Sequence, residues 1–264
     1  MIRLGLAQLA CDGTFEENLA KMAYFAARAR AAGCAAVCFP EASITGYAPQ
    51  DADRTALRLN DAPLREASRL AVESGVDLLA GFMEREGGRV FLSHGVFRAD
   101  GAASVYRKTH LGAREERFFA PGGRLETFDL SCGLRVGFQL CVEAHFPQIT
   151  QTLALRGAEV VFSPHAAPGD AATRRRLWET YVPARAYDNR LWFACCNQLN
   201  APRFGGGCLV AGPDGAIAAA DFERAERLVL FEVDRETIAN YRDDARNAHR
   251  RYYPPHRRPE LYER

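Results

Sequence analysis

Net charge is almost absent from this sequence: 34 lysines and arginines face 33 aspartates and glutamates, leaving +1 over 264 residues. That balance offers no global attraction for phosphate or anionic lipid, which argues against net-charge steering toward nucleic acid or a membrane surface as the basis of function. No apolar run approaches the length of a membrane span. The eight cysteines, at 11, 34, 38, 132, 141, 195, 196 and 208, contain no C-x-x-C pair. Zinc-ligand spacing is lacking too, and a secreted disulfide framework belongs to smaller, loop-rich chains. Most of the thiols lie in apolar, strand-like runs such as "AAVCFP" and "LWFACCNQ". They are read as reduced cysteines of a cytoplasmic protein that carries no metal. The opening "MIRLGLAQLACDG" has one arginine and a short apolar run before a capped helix, so it reads as a first strand rather than a signal peptide. A linker, a low-complexity stretch and a strong repeat are all missing.

What is present alternates between strand and helix. "IRLGLAQL" is β-rich, and Thr14 with Glu17 makes a capping box for the Ala-rich helix that stops at Gly33. "CAAVCFP" is the next buried strand. Asp61 and Pro63 then open a second helix, Gly75 closes it, and "VDLLAGFME" follows as a strand. In the middle, "GRVFLSHGVFRADG", "ASVYRKTH", "LETFDL" and "LRVGFQL" read as strands joined in antiparallel hairpins. After Cys141 the alternation returns: a helix from about Pro147, the strand "AEVVFSP", an Arg-rich helix, the strand "LWFACCNQ" and a last hairpin turning at "GPDG". One α/β domain over 1–264 with mixed sheets is the simplest reading.

In α/β folds, ligands collect beyond the carboxyl ends of strands. Three chemically capable residues fall at such places: Glu41 after "AAVCFP", Lys108 at the end of "SVYRK", and Cys141 after "LRVGFQL". A thiol, a carboxylate to take its proton and a cation to hold negative charge are the parts of an acyl-transfer site. Each has an ordinary alternative. Cys141 would serve as a small core residue, Glu41 as a loop cap and Lys108 as part of a solvated charge run. Spacing alone does not decide among them.

The blocks around these residues resemble those of a known family. "CFPEASITGY", "YRKTHLG" and "GFQLCVEAHFPQ" are similar, in order and spacing, to the three signature blocks of the nitrilase superfamily of carbon–nitrogen hydrolases. Supporting matches run from "IRLGLAQL" through "FFAPGG", "RGAEVVFSP" and "ARAYDN" to "HRRPELY". The resemblance implies a four-layer αββα sandwich, with two mixed β-sheets between outer helices, and no cofactor. It implies Cys141 as nucleophile, Glu41 as general base and later acid, and Lys108 as stabiliser of the tetrahedral intermediate, aided by the Val142 N–H. A second glutamate of this family falls on Glu115, or alternatively on Glu116. Homodimers or larger even assemblies are implied as well, with the tail from about residue 245 to 264 as an interface element.

Around this set, Glu143 resembles the acidic residue the family carries two places after the nucleophile, in a supporting role. Tyr47, Val142, Glu143, His145 and His165 are candidates for substrate contact, and Trp178 for a pocket wall. "TRRRLW" and "HRRPELY" read as helix surface or subunit contact rather than anion sites. True nitrilases place Trp directly after the nucleophile, where this chain has Val142. The expected activity is therefore hydrolysis of a small linear amide or N-carbamoyl amine, ahead of nitrile hydrolysis or a non-catalytic binding role. No arginine directly follows the cysteine block, so nothing in these motifs supports a carboxylate-bearing substrate.

Overall fold

The local signals act as written. In the computed structural model, which describes residues 1–200, 202–243 and 252–262, Thr14 Oγ1 accepts from Glu17 N (3.2 Å) and Glu17 Oε2 from Thr14 N (2.8 Å). Two donors that the first helical turn leaves without partners are thereby satisfied. The first half of the chain runs β1 (Ile2–Gln8), α1 (Phe15–Ala31), β2 (Ala36–Cys38), α2 (Ala52–Thr55), α3 (Ala62–Ser74), β3 (Asp77–Glu86), β4 (Arg89–Phe97) and β5 (Ala103–Arg107). Next come β6 (Thr127–Asp129), β7 (Arg135–Phe138), α4 (Pro147–Leu155), β8 (Val160–His165), α5 (Ala171–Asn189) and β9 (Trp192–Asn197). A short ribbon, β10 (Leu199–Asn200) and β11 (Phe204–Gly205), precedes β12 (Cys208–Ala211), β13 (Ile217–Asp221), β14 (Arg227–Val233) and α6 (Arg235–Arg242).

Two six-stranded sheets result, in the orders β14-β1-β2-β3-β4-β5 and β13-β12-β9-β8-β7-β6. Each has a parallel centre, β1-β2-β3 in one and β7-β8-β9 in the other, flanked by antiparallel strands. Period-two alternation decides the layering. Leu4, Leu6, Cys38 and Leu79 point to the other sheet, where they share a core with Val136, Phe138, Phe162 and Cys196. Their chain neighbours Ala7, Val37 and Leu78 face away, toward Met22, Phe25 and Ala67 of α1 and α3. In the second sheet Val161, Phe193 and Leu209 face Ile149, Leu153, Trp178 and Val182 of α4 and α5. Strands buried on both faces must be apolar throughout, which is why the central ones read as unbroken hydrophobic runs. The outcome is a helix–sheet–sheet–helix sandwich of four layers, as expected.

The hairpin reading of the middle needs one refinement. β4-β5 and β6-β7 are antiparallel pairs, but β5 and β6 belong to different sheets. The segment 108–126 between them therefore crosses from one sheet to the other. β14 returns the chain to pair with β1. Of the expected C-terminal tail, residues 245–251 and 263–264 lie outside the described residues. Within 252–262, Tyr252 OH donates to Ala154 O (3.1 Å) and Arg257 to Gln151 (2.9 Å), tying this stretch to α4.

Candidate active site

Five strand ends converge at one edge of the sandwich, and the candidate residues are on them. Glu41 lies three residues beyond β2, Lys108 directly beyond β5, and Cys141 three residues beyond β7 at the start of a 3₁₀ turn, Cys141–His145. β8 ends at His165, and Gln198 follows β9. Of the three non-glycine residues with left-handed backbone among the described residues, two are here, Ala42 (φ 54°) and Cys141 (φ 49°). Such conformations cost of order 1–3 kcal/mol each, and persist only where the surroundings hold them. At Ala42 the holding is visible. A Cβ on Gly81 of β3 would come within 2.2 Å of Ala42 N, so only glycine lets the strand lie so close. Ser43 Oγ accepts from Gly81 N (3.1 Å), and Ile44 N donates to Gly81 O (2.8 Å).

Lys108 joins the buried acids. Its Nζ donates to Glu41 Oε1 (2.8 Å) and Glu115 Oε1 (2.9 Å), and all three side chains are buried. Glu116 is exposed, so of the two adjacent glutamates it is Glu115 that the structure brings to Lys108. Glu115 is held further by Tyr47 OH (2.6 Å) and by Gly112 N on Oε2 (2.7 Å). Glu41 Oε2 accepts from Ala166 N (3.1 Å), while Gln198 Nε2 donates to the Glu41 carbonyl (2.7 Å). Gln198 and Ala166 were not singled out from the sequence. The signal for Gln198 was available, since it too is a polar residue at the carboxyl end of an apolar strand.

Burial sets the protonation states. Desolvation pushes the Glu41 carboxyl up to about 7; Lys108 opposes this and Glu115 reinforces it. Desolvation and then Glu41 push the Cys141 thiol up to about 12, with Lys108 pulling the other way. The charge of Lys108 by itself favours the thiolate. Here burial and two carboxylates outweigh one ammonium, and the resting side chain is a protonated thiol. Lys108 is the reverse case: desolvation alone would lower it, but Glu41, Cys141 and Glu115 together raise it, so it stays charged.

The remaining candidates separate into those in the site and those behind it. Glu143 is fully buried. Its Oε1 accepts from Tyr106 OH (2.8 Å), Thr109 N (2.7 Å), Thr109 Oγ1 (2.6 Å) and His110 N (3.2 Å), and its Oε2 from Leu140 N (2.7 Å). A carboxylate so enclosed is no substrate contact; it clamps the segment after Lys108 to the turn that carries Cys141. His165 is also enclosed, 1% exposed, with Nε2 3.0 Å from Ser163 Oγ. Ser163 Oγ donates its own proton to Gln139 O (2.7 Å), so it accepts from His165 Nε2–H. Desolvation holds this ring well below its usual value, hence neutral. Trp178 is fully buried against it, ring centroids 4.9 Å apart, and belongs to the α4–α5 core rather than to an open pocket wall. Tyr47 and Val142 are half-buried and His145 is exposed, its ring 5.0 Å from that of Tyr181. A cleft of about 480 Å³ opens beside Tyr47, lined also by Gln198, Arg203 and Phe204. Among the described residues no group of three or more His, Cys, Asp or Glu is placed to hold a metal ion, and no helix is long and apolar enough to cross a membrane.

Residues 3–243 match the family model described as carbon-nitrogen hydrolase. The chain belongs to the carbon–nitrogen hydrolase family, the nitrilase superfamily. It is 28% identical over 235 residues to a nitrilase of Pyrococcus abyssi, covering 86% of this chain and 87% of that one. It is 31% identical over 201 residues to an (R)-stereoselective amidase of Pseudomonas sp, covering 76% and 69%. The fold matches that of Nit3 of Saccharomyces cerevisiae, a member of branch 10 of the superfamily, with a TM-score of 0.83 at 23% identity over 95% of this chain and 96% of that chain. This carbon–nitrogen hydrolase is thus an enzyme of C–N bond hydrolysis built on the nitrilase fold.

Proposed function

We propose that the enzyme hydrolyses a small linear amide or N-carbamoyl amine through a thioester on Cys141, releasing ammonia. One observation carries the reading: a buried ammonium, Lys108, bridges two buried carboxylates beside the strained turn of Cys141. With the thiol at about 12 and Glu41 at about 7, no standing thiolate is required. The proton leaves sulfur for Glu41 as the S–C bond forms, as in general-base catalysis. The carbonyl oxygen becomes an oxyanion, held by Lys108 and the Val142 N–H; such donors are worth roughly 3–4 kcal/mol each. Collapse of the intermediate breaks the C–N bond, and protonated Glu41 gives its proton to the departing amine. Water then attacks the thioester, Glu41 taking its proton and returning it to sulfur as the S–C bond breaks.

Glu115 serves in this scheme by keeping Lys108 in place. Tyr47, which anchors Glu115, stands beside the cleft and contacts substrate there. Self-association with the tail at the interface belongs to the same reading, and light scattering on the full chain tests it. The similarity to a nitrilase favours a second reading, nitrile hydrolysis, which Val142 in place of Trp disfavours. Matched amide and nitrile pairs scored by ammonia release separate the two. The decisive variant is Cys141→Ala, which should lower turnover of the best amide by at least about 10⁴-fold, an effect on the scale of losing a nucleophile; unchanged turnover would end the assignment.

A further inference from the structure

The one backbone donor to the Glu41 carboxyl, Ala166 N (3.1 Å), lies one residue past the end of β8. β8 and β9 pair in parallel as far as His165 and Asn197. Beyond that register β9 leads into the β10–β11 ribbon, and the chain after β8 has no strand beside it to continue the ladder. The side chain of Asn197 takes over at that point. Its Oδ1 accepts from Ala167 N (2.9 Å), and its Nδ2 donates to Ala167 O (3.1 Å). A primary amide carries the same donor and acceptor as a peptide group, so it pairs with Ala167 as a further strand residue would. Nδ2 also donates to Gly206 O (3.2 Å), and Asn197 N donates to Gly207 O (2.9 Å). Asn197 is 1% exposed, with its carbonyl and its amino group both engaged.

The neighbouring contacts leave Ala166 little freedom. His165 O accepts from Gln198 N (3.2 Å) on one side of it. On the other, Gly169 N donates to Arg203 O (3.1 Å) and Gly205 N to Gly169 O (2.9 Å), so the ribbon holds the segment beyond Ala167. The amide proton of Ala166 bears on the chemistry of Glu41. Burial raises the proton affinity of that carboxyl, Lys108 lowers it, Glu115 raises it, and the Ala166 N–H lowers it again. Tyr47 and Cys141 are the other titratable groups that interact with it.

We propose that Asn197 is a positioning residue for the general base: its amide fixes the Ala167 peptide, and with it the N–H that Ala166 presents to Glu41. Asn197 makes no hydrogen bond to Glu41, Lys108 or Cys141 and acts through the Ala166–Ala167 segment. Its chain neighbour Gln198 holds the Glu41 carbonyl (2.7 Å), so two consecutive residues at the end of β9 frame one glutamate, at its main chain and at its carboxylate. The inference rests on the amidase reading, in which Glu41 is the base, and adds a residue to it.

The test is the acid limb of the kcat/KM profile in Asn197→Ser and Asn197→Ala, which reports the base of the free enzyme. Without the clasp on Ala167, the Ala166 N–H drifts from Glu41, the carboxylate loses a donor and its proton affinity rises. The midpoint of the limb should move up by at least about 0.5 pH unit, a fraction of what a hydrogen bond to a charge contributes. Activity should accordingly fall about threefold more at pH 6 than at pH 9, with kcat changed more than KM. A loss equal at both pH values would make Asn197 a structural residue only and overturn the proposal. A second measurement uses the unaltered chain and no substrate. In ¹⁵N–¹H spectra the Ala166 amide and the Asn197 side-chain amide should shift together, with a midpoint near the Glu41 value of about 7, and both shifts should vanish in Glu41→Gln. An Asn197 amide that stays still while Ala166 moves overturns the proposal, whether or not the Asn197 variants fold. If wild type hydrolyses no amide, the amidase reading fails, and the spectra still decide whether Asn197 is coupled to Glu41.

Discussion

Glu41 and Glu143 are two fully enclosed glutamates at the same edge of the sandwich, and they are held in opposite ways. Glu143 receives five hydrogen bonds, four from the stretch 106–110 and one from Leu140 N. None of these donors is a formal charge, and none is free to leave. Glu41 receives one backbone N–H and one ammonium that it shares with Glu115. Fixed dipoles in number make a carboxylate a fastener, because moving its charge would leave several donors stranded. A carboxylate with few donors, a cation and a second acid nearby keeps a proton affinity near neutrality. Enclosure alone therefore says little about role; the partners decide it.

The sharpest way to break the comparison is to neutralise each acid. Glu41→Gln should lower kcat by about 10³-fold, the scale of a lost general base. Its effect on stability should have the opposite sense. The folded-state value of about 7 lies above the ordinary 4.5. The folded protein therefore binds more protons than the unfolded chain between those values, and stability falls as pH rises through that window. Glutamine imitates the protonated form and escapes the fall. Chemical denaturation should find Glu41→Gln equal to wild type below pH 4.5 and more stable by up to about 3 kcal/mol above pH 7. In wild type, kcat/KM should rise with pH through about 7 as Glu41 ionises. Glu143→Ala should do the reverse, losing about 3 kcal/mol of stability as its donors are left buried without an acceptor. Equal losses of stability in the two variants would erase the distinction.

The two glutamates were also unequally legible. Glu41, Lys108 and Cys141 could be picked out because each is a polar residue at the end of an apolar strand, a local pattern. The enclosure of Glu143 could not, since four of its donors come from 33 to 37 residues earlier in the chain. Its position close to Cys141 drew it into the substrate list, while its neighbours in space make it a clamp. The choice between Glu115 and Glu116 turned on a tertiary contact with Lys108. The strands of the middle were readable from alternation, but alternation does not say which sheet a strand joins, and the crossover between β5 and β6 was hidden for that reason. How far the thiol's proton affinity is raised was not legible, because it depends on the burial and the carboxylates that tertiary structure brings to it.

The smallest expected effect probes the link between the two acids on Lys108. Tyr47 OH donates to the same Glu115 oxygen that Lys108 bonds, at 2.6 Å. Removing that donor leaves Glu115 its Gly112 contact on the other oxygen. The carboxylate then leans more fully on Lys108, which is drawn from Glu41 and from the oxyanion it would hold. Tyr47→Phe keeps the ring against Phe204, so packing is conserved and only the hydroxyl is lost. One neutral-donor bond to a charge is worth about 1.5–3 kcal/mol, of which only the part felt by the oxyanion reaches kcat. A decrease of about three- to tenfold in kcat, with KM for a neutral amide moved less, is the expected result in steady-state assays. A loss confined to KM would make the Tyr47 hydroxyl, and not only the ring, a substrate contact and remove it from the chain of bonds that sets Lys108.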